Sequence, residues 1–456
     1  MITQRSTVTP GSTQAAAMGR RGFLAGMGAL AAVPLVGCTQ LGVGYSQPSG
    51  SIPGEFANRL RIVFWSAFTA DNLPILAGLI DRFNRSQTDI YAEVQTFDSY
   101  DGVDQKLAAG LQARQIPDLV ILSDISWNRY FLNDTLEPLN DYFDDSFGPE
   151  AFHDRLMAEG IVDDVIYWTP FARSTPLLYV NPEILAAAGL PERAPKTWDE
   201  FRGWGQQLAG VTYRGGTPRM RAFTGGDDWY FQGQVWSFGG GISDGFEIVL
   251  DSPESLAAAR FDHDLIHVDK SGYLAQSHVN DFTSGMVACI EGSTGTLAKI
   301  TKASPFPVLA GFLPQQTQIG VPSGGSGLAI MKYAEPERKQ AAFELIKFLA
   351  AEEQSSEWTV GTGYMPVTKA AMGSAAISKI VAENPNYAVA VRQLEIATGP
   401  DTVRKYVQTA IQKMKTAIQR IYGSPEDPDV IMRGTANDLR RSTDRILKQY
   451  PNKISR

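Results

Sequence analysis

The sequence predicts an α/β protein built on open parallel sheets. Short apolar runs alternate with helix-period segments from about residue 60, the pattern by which βαβ units are read. The same alternation restarts beyond residue 174, and 456 residues are enough for two or three domains.

The elements follow in order. "LRIVFWSAF" reads as a buried strand. "DNLPILAGLIDRF" then places Leu76, Leu79, Ile80 and Phe83 on one helix face, with Asp71 or Asn72 as cap and Pro74 in the first turn. "IYAEVQTF" and "PDLVILSD" are further strands, separated by helical "VDQKLAAGLQA". In the second round "PLLYV" is a strand, and "PKTWDEFRGWGQQL" opens a helix with Thr197 and Glu200 spaced as a capping box. Strands are expected at "GMVACIEG", "VLAGFLP" and the glycine-rich "PSGGSGLAIM". "EPERKQAAFELIKFLAAEEQ" reads as one long helix, with Ala342, Leu345, Ile346 and Leu349 on one face. Farther on, Val403, Val407, Ala410, Met414, Ile418 and Ile421 line a single helical stripe.

The N-terminal region reads as an address rather than as part of the fold. In "GRRGFLAGMGALAAVPLVGC" an arginine pair precedes an apolar run that is short for a membrane span. Arg20-Arg21 with Phe23 and Leu24 resembles a twin-arginine export signal, although Gly19 and Ala25 depart from it and leave the export route open. Leu35-Val36-Gly37-Cys38 resembles the bacterial lipobox, which implies a signal peptide over 1–37, acylation of Cys38 and a place on the outer face of the cell membrane. Residues 39–58, rich in Gly, Ser and Pro, read as a flexible tether, so the lipidated N-terminus and tether are expected over 38–58.

The formal charge is −8, and a chain cut before Cys38 loses Arg5, Arg20 and Arg21 and becomes more acidic still. Such a balance argues against nucleic acid as partner. After Cys38 only Cys289 remains, so no intramolecular disulfide is expected. The histidines, His153, His263, His267 and His278, lack a zinc-site spacing, and no metal or other cofactor is expected.

"PFARSTPLLYVN", "PKTWDEF", "WYFQGQVWSFGG", "EGSTGTLAKI", "SGGSGLAI" and "GTGYMPVTKAA" stand in the order found in a known family. Over about residues 60–445 the chain resembles the extracytoplasmic substrate-binding proteins of ABC importers. Within them it is most like the actinobacterial binders of glycerol-3-phosphate and glycerophosphodiesters. The resemblance implies a two-lobed periplasmic-binding-protein fold of type II, maltose-binding-protein-like, with a hinge and an interlobe cleft. One lobe would hold 59–173 and 325–357, the other 174–324 and 358–456. It also implies a monomer that binds without catalysis and hands its solute to the permease's transmembrane subunits.

The same resemblance assigns site residues. Tyr100 and Asp124 would contact ligand, Asp124 by accepting hydrogen bonds from glycerol hydroxyls. Ser174 and Ser293 would hold the polar head, and Trp229 would wall the carbon skeleton. Gly325 would let backbone N–H groups approach an anion, with Tyr364 and Arg404 completing the phosphate set. A guanidinium grips two phosphate oxygens at once, so Arg404 matters most. Gly226, where phosphate-selective relatives place an aromatic, would leave room beyond the phosphate, while Asp227 and Asp228 add negative charge near the mouth. Each residue also has a plain reading: strand-end Tyr and Asp are common turn and cap residues, Arg173 would pair with an acid at the hinge, and Trp236 reads as core.

Three other readings compete. An oligosaccharide receptor shares several of these motifs. An exported hydrolase would need a nucleophile elbow or paired acids, and "RSTP" and "GSTG" are not elbows. An adhesin would bind no small ligand.

Overall fold

The computed structural model describes residues 44–225 and 228–454. The expected signal segment, Cys38, Gly226 and Asp227 lie outside the described residues. Parallel strands β1 (Leu60–Ser66), β2 (Ile90–Thr96) and β3 (Leu119–Ser123) are joined by helices α1 (Leu73–Ser86) and α2 (Tyr100–Ala113). Asn72 precedes α1 and Pro74 sits in its first turn, while Leu76, Leu79, Ile80 and Phe83 are buried. Strands β4 (Thr169–Ser174) and β5 (Pro176–Val180) are separated by Thr175 alone and lie in different sheets.

The second round contributes helix α3 (Trp198–Gln207), strand β6 (Arg219–Thr224), and helices α4 (Asp228–Ser237) and α5 (Pro253–His267). Strands β7 (Gly272–Ala275), β8 (Val287–Ser293) and β9 (Leu309–Gly311) follow, and β10 (Gly324–Ile330) returns to the first sheet. The sheet orders are β2-β1-β3-β10-β4 and β7-β6-β8-β5-β9.

Neither sheet is wholly parallel. β10 runs antiparallel to β3 and β4, and β5 runs antiparallel to β8 and β9. The reason is connectivity: β5 and β10 arrive from the other sheet, so no right-handed helical crossover dictates their direction.

Four further expectations change. The long helix breaks at Ala351 (ψ 153°) into α6 (Pro336–Ala350) and α7 (Glu352–Thr362). The two halves serve different targets, since Phe348 of α6 meets Phe83 whereas Trp358 of α7 packs against Phe68 and Phe171. The C-terminal stripe is fully buried, but it spans two helices, α8 (Thr402–Tyr406) and α9 (Ala410–Gly423), with Val407 extended between them. Helix α10 (Pro428–Gln449) follows.

At α3 the Thr197 hydroxyl does accept from the Glu200 N–H, at 3.0 Å. The Glu200 carboxylate, however, accepts from the Lys196 N–H and pairs with Arg193 instead of closing the box on Thr197. Finally, among the described residues packing already includes Tyr45, well before the start expected near Arg59. Tyr45 stacks on Tyr333 at 4.5 Å, the Ser46 N–H donates to the Arg114 carbonyl, and Gln47 Nε2 donates to Asp118 Oδ2 and to the Arg61 carbonyl. A short 3-10 turn then buries Phe56 against Tyr91. Gly, Ser and Pro suit a tether, but they equally suit an extended strap held by its few aromatic and amide side chains.

Candidate functional site

Ligands of open α/β sheets sit at the carboxyl ends of the parallel strands. Here those ends carry Asp124 after β3, Gly225 and Asp228 after β6, and Ser293 at the tip of β8. A cavity of about 350 Å³ lies between the two sheets, lined by Tyr100, Asp124, Trp229, Gly325 and Arg404 among others. Five of the eight expected ligand-contacting residues therefore share one cavity.

The other three stand close by in different roles. The Tyr364 hydroxyl is 3.4 Å from that of Tyr100, and its ring stacks on Trp358. Ser293 caps the turn that follows β8, its hydroxyl accepting from the Gly295 N–H at 3.1 Å. Ser174 is buried at the end of β4, in register with Gly324.

Local sequence explains how each group is placed. Tyr100 is the first residue of α2, whose cap Ser99 accepts from the Gly102 N–H. Its hydroxyl donates to Ser326 at 3.0 Å. Gly325 has φ +100°, and a Cβ there would stand 2.1 Å from the Ala172 carbonyl oxygen, so only glycine fits this position opposite Arg173. A Cβ on Gly324 would meet the Trp229 indole at 2.6 Å, so this glycine is what lets the ring lie against β10. Trp229 Nε1 donates to the Ser323 carbonyl at 2.9 Å, fixing the ring's edge.

Burial dominates the electrostatics. Asp124 is 7% exposed, and loss of water pushes its carboxyl pKa up to about 6, with Arg173 opposing the rise. Tyr100 and Tyr364 are likewise raised by burial. Burial works against the Arg404 charge, but Asp228 and Asp124 more than offset it, and its pKa stands above the usual arginine value. Arg173 pairs with Glu159 at 2.5 Å and lies over Trp168, as the plain reading had it.

Several contacts around the cavity were not foreseen. Arg404 is 3% exposed and paired: Asp228 Oδ2 accepts from its Nε at 2.8 Å and lies 2.7 Å from its Nη2, and Gln232 Oε1 accepts from Nη1 at 3.1 Å. Asp228 and Gln232 are four apart on α4, a spacing that shares one helix face and was the available signal. Trp236 is half-buried rather than core. Its Nε1 donates to Asp401, which also accepts from the Ile242 N–H, so the residue just before α8 is tied to the second sheet's helices. Asp101, Asp104 and Lys415 complete the cavity's charged rim, with Asp101 and Lys415 at 3.9 Å. Among the described residues no set of His, Cys, Asp or Glu is placed to hold a metal, and no helix is long and apolar enough to cross a membrane.

Two facing sheets exchanging strands around a polar cleft define a solute-binding protein. Residues 78–389 match the model of the bacterial extracellular solute-binding protein family, and the chain belongs to that family. Its structure is similar to that of UgpB from Mycobacterium tuberculosis in complex with glycerophosphocholine, at 31% identity and TM-score 0.78, over 84% of this chain and 98% of that one. The sn-glycerol-3-phosphate-binding periplasmic protein UgpB of Pectobacterium atrosepticum is 26% identical over 363 residues, 73% of this chain and 79% of that protein. Maltose-bound MalE3 of T. maritima, at 23% identity and TM-score 0.72 over 84% of this chain and 99% of that one, shares the fold. The two-lobed, maltose-binding-protein-like fold is thereby established, as is membership in an extracellular family of binders rather than enzymes.

Proposed function

We propose that this protein is the receptor of an ABC import system. It captures a glycerophosphodiester such as glycerophosphocholine, or sn-glycerol-3-phosphate, in the intersheet cavity and delivers it to the permease. The observation that carries the reading is a buried arginine, Arg404, on the same cavity wall as an indole, Trp229, with a buried acid, Asp124, opposite. Arg404 supplies paired N–H groups for a phosphate, Trp229 an apolar wall for glycerol carbons, and Asp124 an acceptor for glycerol hydroxyls. Tyr100, Tyr364, Ser174 and Ser293 furnish hydroxyls around the same point, and Gly325 gives close backbone approach. In this reading residues 59–173 with 325–357 close upon 174–324 with 358–456 about the crossing at Thr175.

Calorimetric titration with glycerophosphocholine, sn-glycerol-3-phosphate and maltotriose tests it. Saturable heat with a phosphate ligand and none with the sugar is expected. The reverse result establishes the oligosaccharide alternative.

The protein is proposed to work as a monomer, held at the outer face of the membrane by an acylated Cys38. Cys38→Ala is expected to move it from the membrane fraction to the soluble one. Continued partition with membranes refutes the anchor.

A further inference from the structure

Arg404 does not meet a ligand as a bare cation. A guanidinium carries five N–H groups. Among the described residues Asp228 engages one on Nε and one on Nη2, and Gln232 engages one on Nη1. What is left is one N–H on each terminal nitrogen, enough for a two-point clasp of phosphate oxygens but with the charge already balanced. The rest of the cavity does not restore it. Asp124 and Asp104 add carboxylates, and Lys415 is paired with Asp101. Beside the ion pair, the Nε2 of fully buried Gln232 has no acceptor among the described residues. A neutral donor is thus held next to the clasp where a second cation would be needed to balance a dianion.

We infer that Asp228 sets the ligand's charge: by neutralising Arg404 it makes the site accept a singly charged phosphodiester and disfavour a doubly charged phosphate monoester. The inference rests on the phosphate reading above. One additional negative charge within a few ångströms of the Asp228 carboxylate, in a partly desolvated cavity, is expected to lower affinity by about tenfold to a hundredfold.

The test is titration at pH 7.5 of the parent, Asp228→Asn and Asp228→Glu with glycerophosphocholine, a monoanionic phosphate, and with sn-glycerol-3-phosphate, a dianion above its second ionisation near ~6. The parent is expected to favour the diester by at least about tenfold. Asp228→Asn should cut that ratio by about tenfold, mainly through a gain for the monoester, whereas Asp228→Glu keeps the parent's ratio.

Should Asp228→Asn not fold, because it leaves Arg404 unpaired, the pH dependence decides. Relative to the diester, the monoester must gain about tenfold between pH 7.5 and pH 5 as it becomes a monoanion. Asp124 itself gains a proton over this pH range, so the same comparison is made in Asp124→Asn, and a gain that survives there is the one assigned to the Arg404–Asp228 pair; Asp104, Lys405, Lys415 and Asp401 face the same region. A ratio that moves neither with Asp228→Asn nor with pH in Asp124→Asn, while both ligands bind, overturns the role of Asp228 and leaves the receptor reading intact. Failure of both phosphate ligands to bind the parent overturns the phosphate reading itself.

Discussion

Asp124 shows what a buried acid in the cleft costs the fold. Its carboxyl has a pKa of about 6 in the folded protein against 3.8 ordinarily, because burial strips its water. The native state therefore holds the proton more tightly than the unfolded chain does. Its contribution to stability falls as pH rises from about 4 to about 6, and the full penalty stands above that. The difference corresponds to about 3 kcal/mol. Asp124→Asn is expected to melt at a higher temperature than the parent at pH 7 and at nearly the same temperature at pH 4. Melting curves across this range check it, and a gap that does not change with pH would rule out the buried charge as its source. A site kept at such a cost fits the acceptor role proposed for it.

Helices and the strap carry these side chains to one place. Helix α4 begins at the cavity and presents Asp228, Trp229 and Gln232 within its opening turns, while α8 is a single turn whose preceding residue, Asp401, is anchored by Trp236 and by the Ile242 N–H. Arg404 is in the first turn of α8, but so short a helix develops little dipole to oppose it.

The strap from Tyr45 to Phe56 is an element of the first sheet's periphery. Phe56 is 6% exposed, packed on Tyr91 and covered by Arg59, with its ring 4.7 Å from the guanidinium carbon. Phe56→Ala is expected to cost about 3 kcal/mol, read as a lower denaturant midpoint. An unchanged midpoint would mean the segment is a passive tether after all.

Across the whole molecule, the two sheets repeat one plan: three parallel strands, then one antiparallel strand that arrives from the other sheet (β10 or β5), then an edge strand of the sheet's own (β4 or β9). The connection through Thr175 is a single residue, so the orientation of one sheet is tied closely to that of the other. Trp229, Ser323, Glu159 and Arg173 form a bonded chain from the cavity wall to this crossing. Ser323 accepts from Trp229 through its carbonyl and donates to Glu159 through its hydroxyl at 2.8 Å, and Glu159 pairs with Arg173 on the adjoining strand. The wall that would touch a ligand and the strand that crosses between sheets are thus linked through bonded side chains.

Local pattern was enough to locate seven of the ten strands described, several helix faces and the α/β class, because those depend on near neighbours along the chain, whereas β4, β6 and β7 were not read from it. Leu76, Leu79, Ile80 and Phe83 were legible as one face since a helix repeats every 3.6 residues. Motif order pointed to the family, and five of the proposed contacts do share a cavity. What near neighbours do not encode is direction and partnership across long separations. The antiparallel entry of β5 and β10, the breaks at Ala351 and Val407, and the packing of Tyr45 on Tyr333 each answer to residues far away in the chain. Asp228 and Arg404 lie 176 positions apart, and only the folded cleft showed that an acid expected to add negative charge near the mouth is the bonded partner of the arginine proposed to hold phosphate.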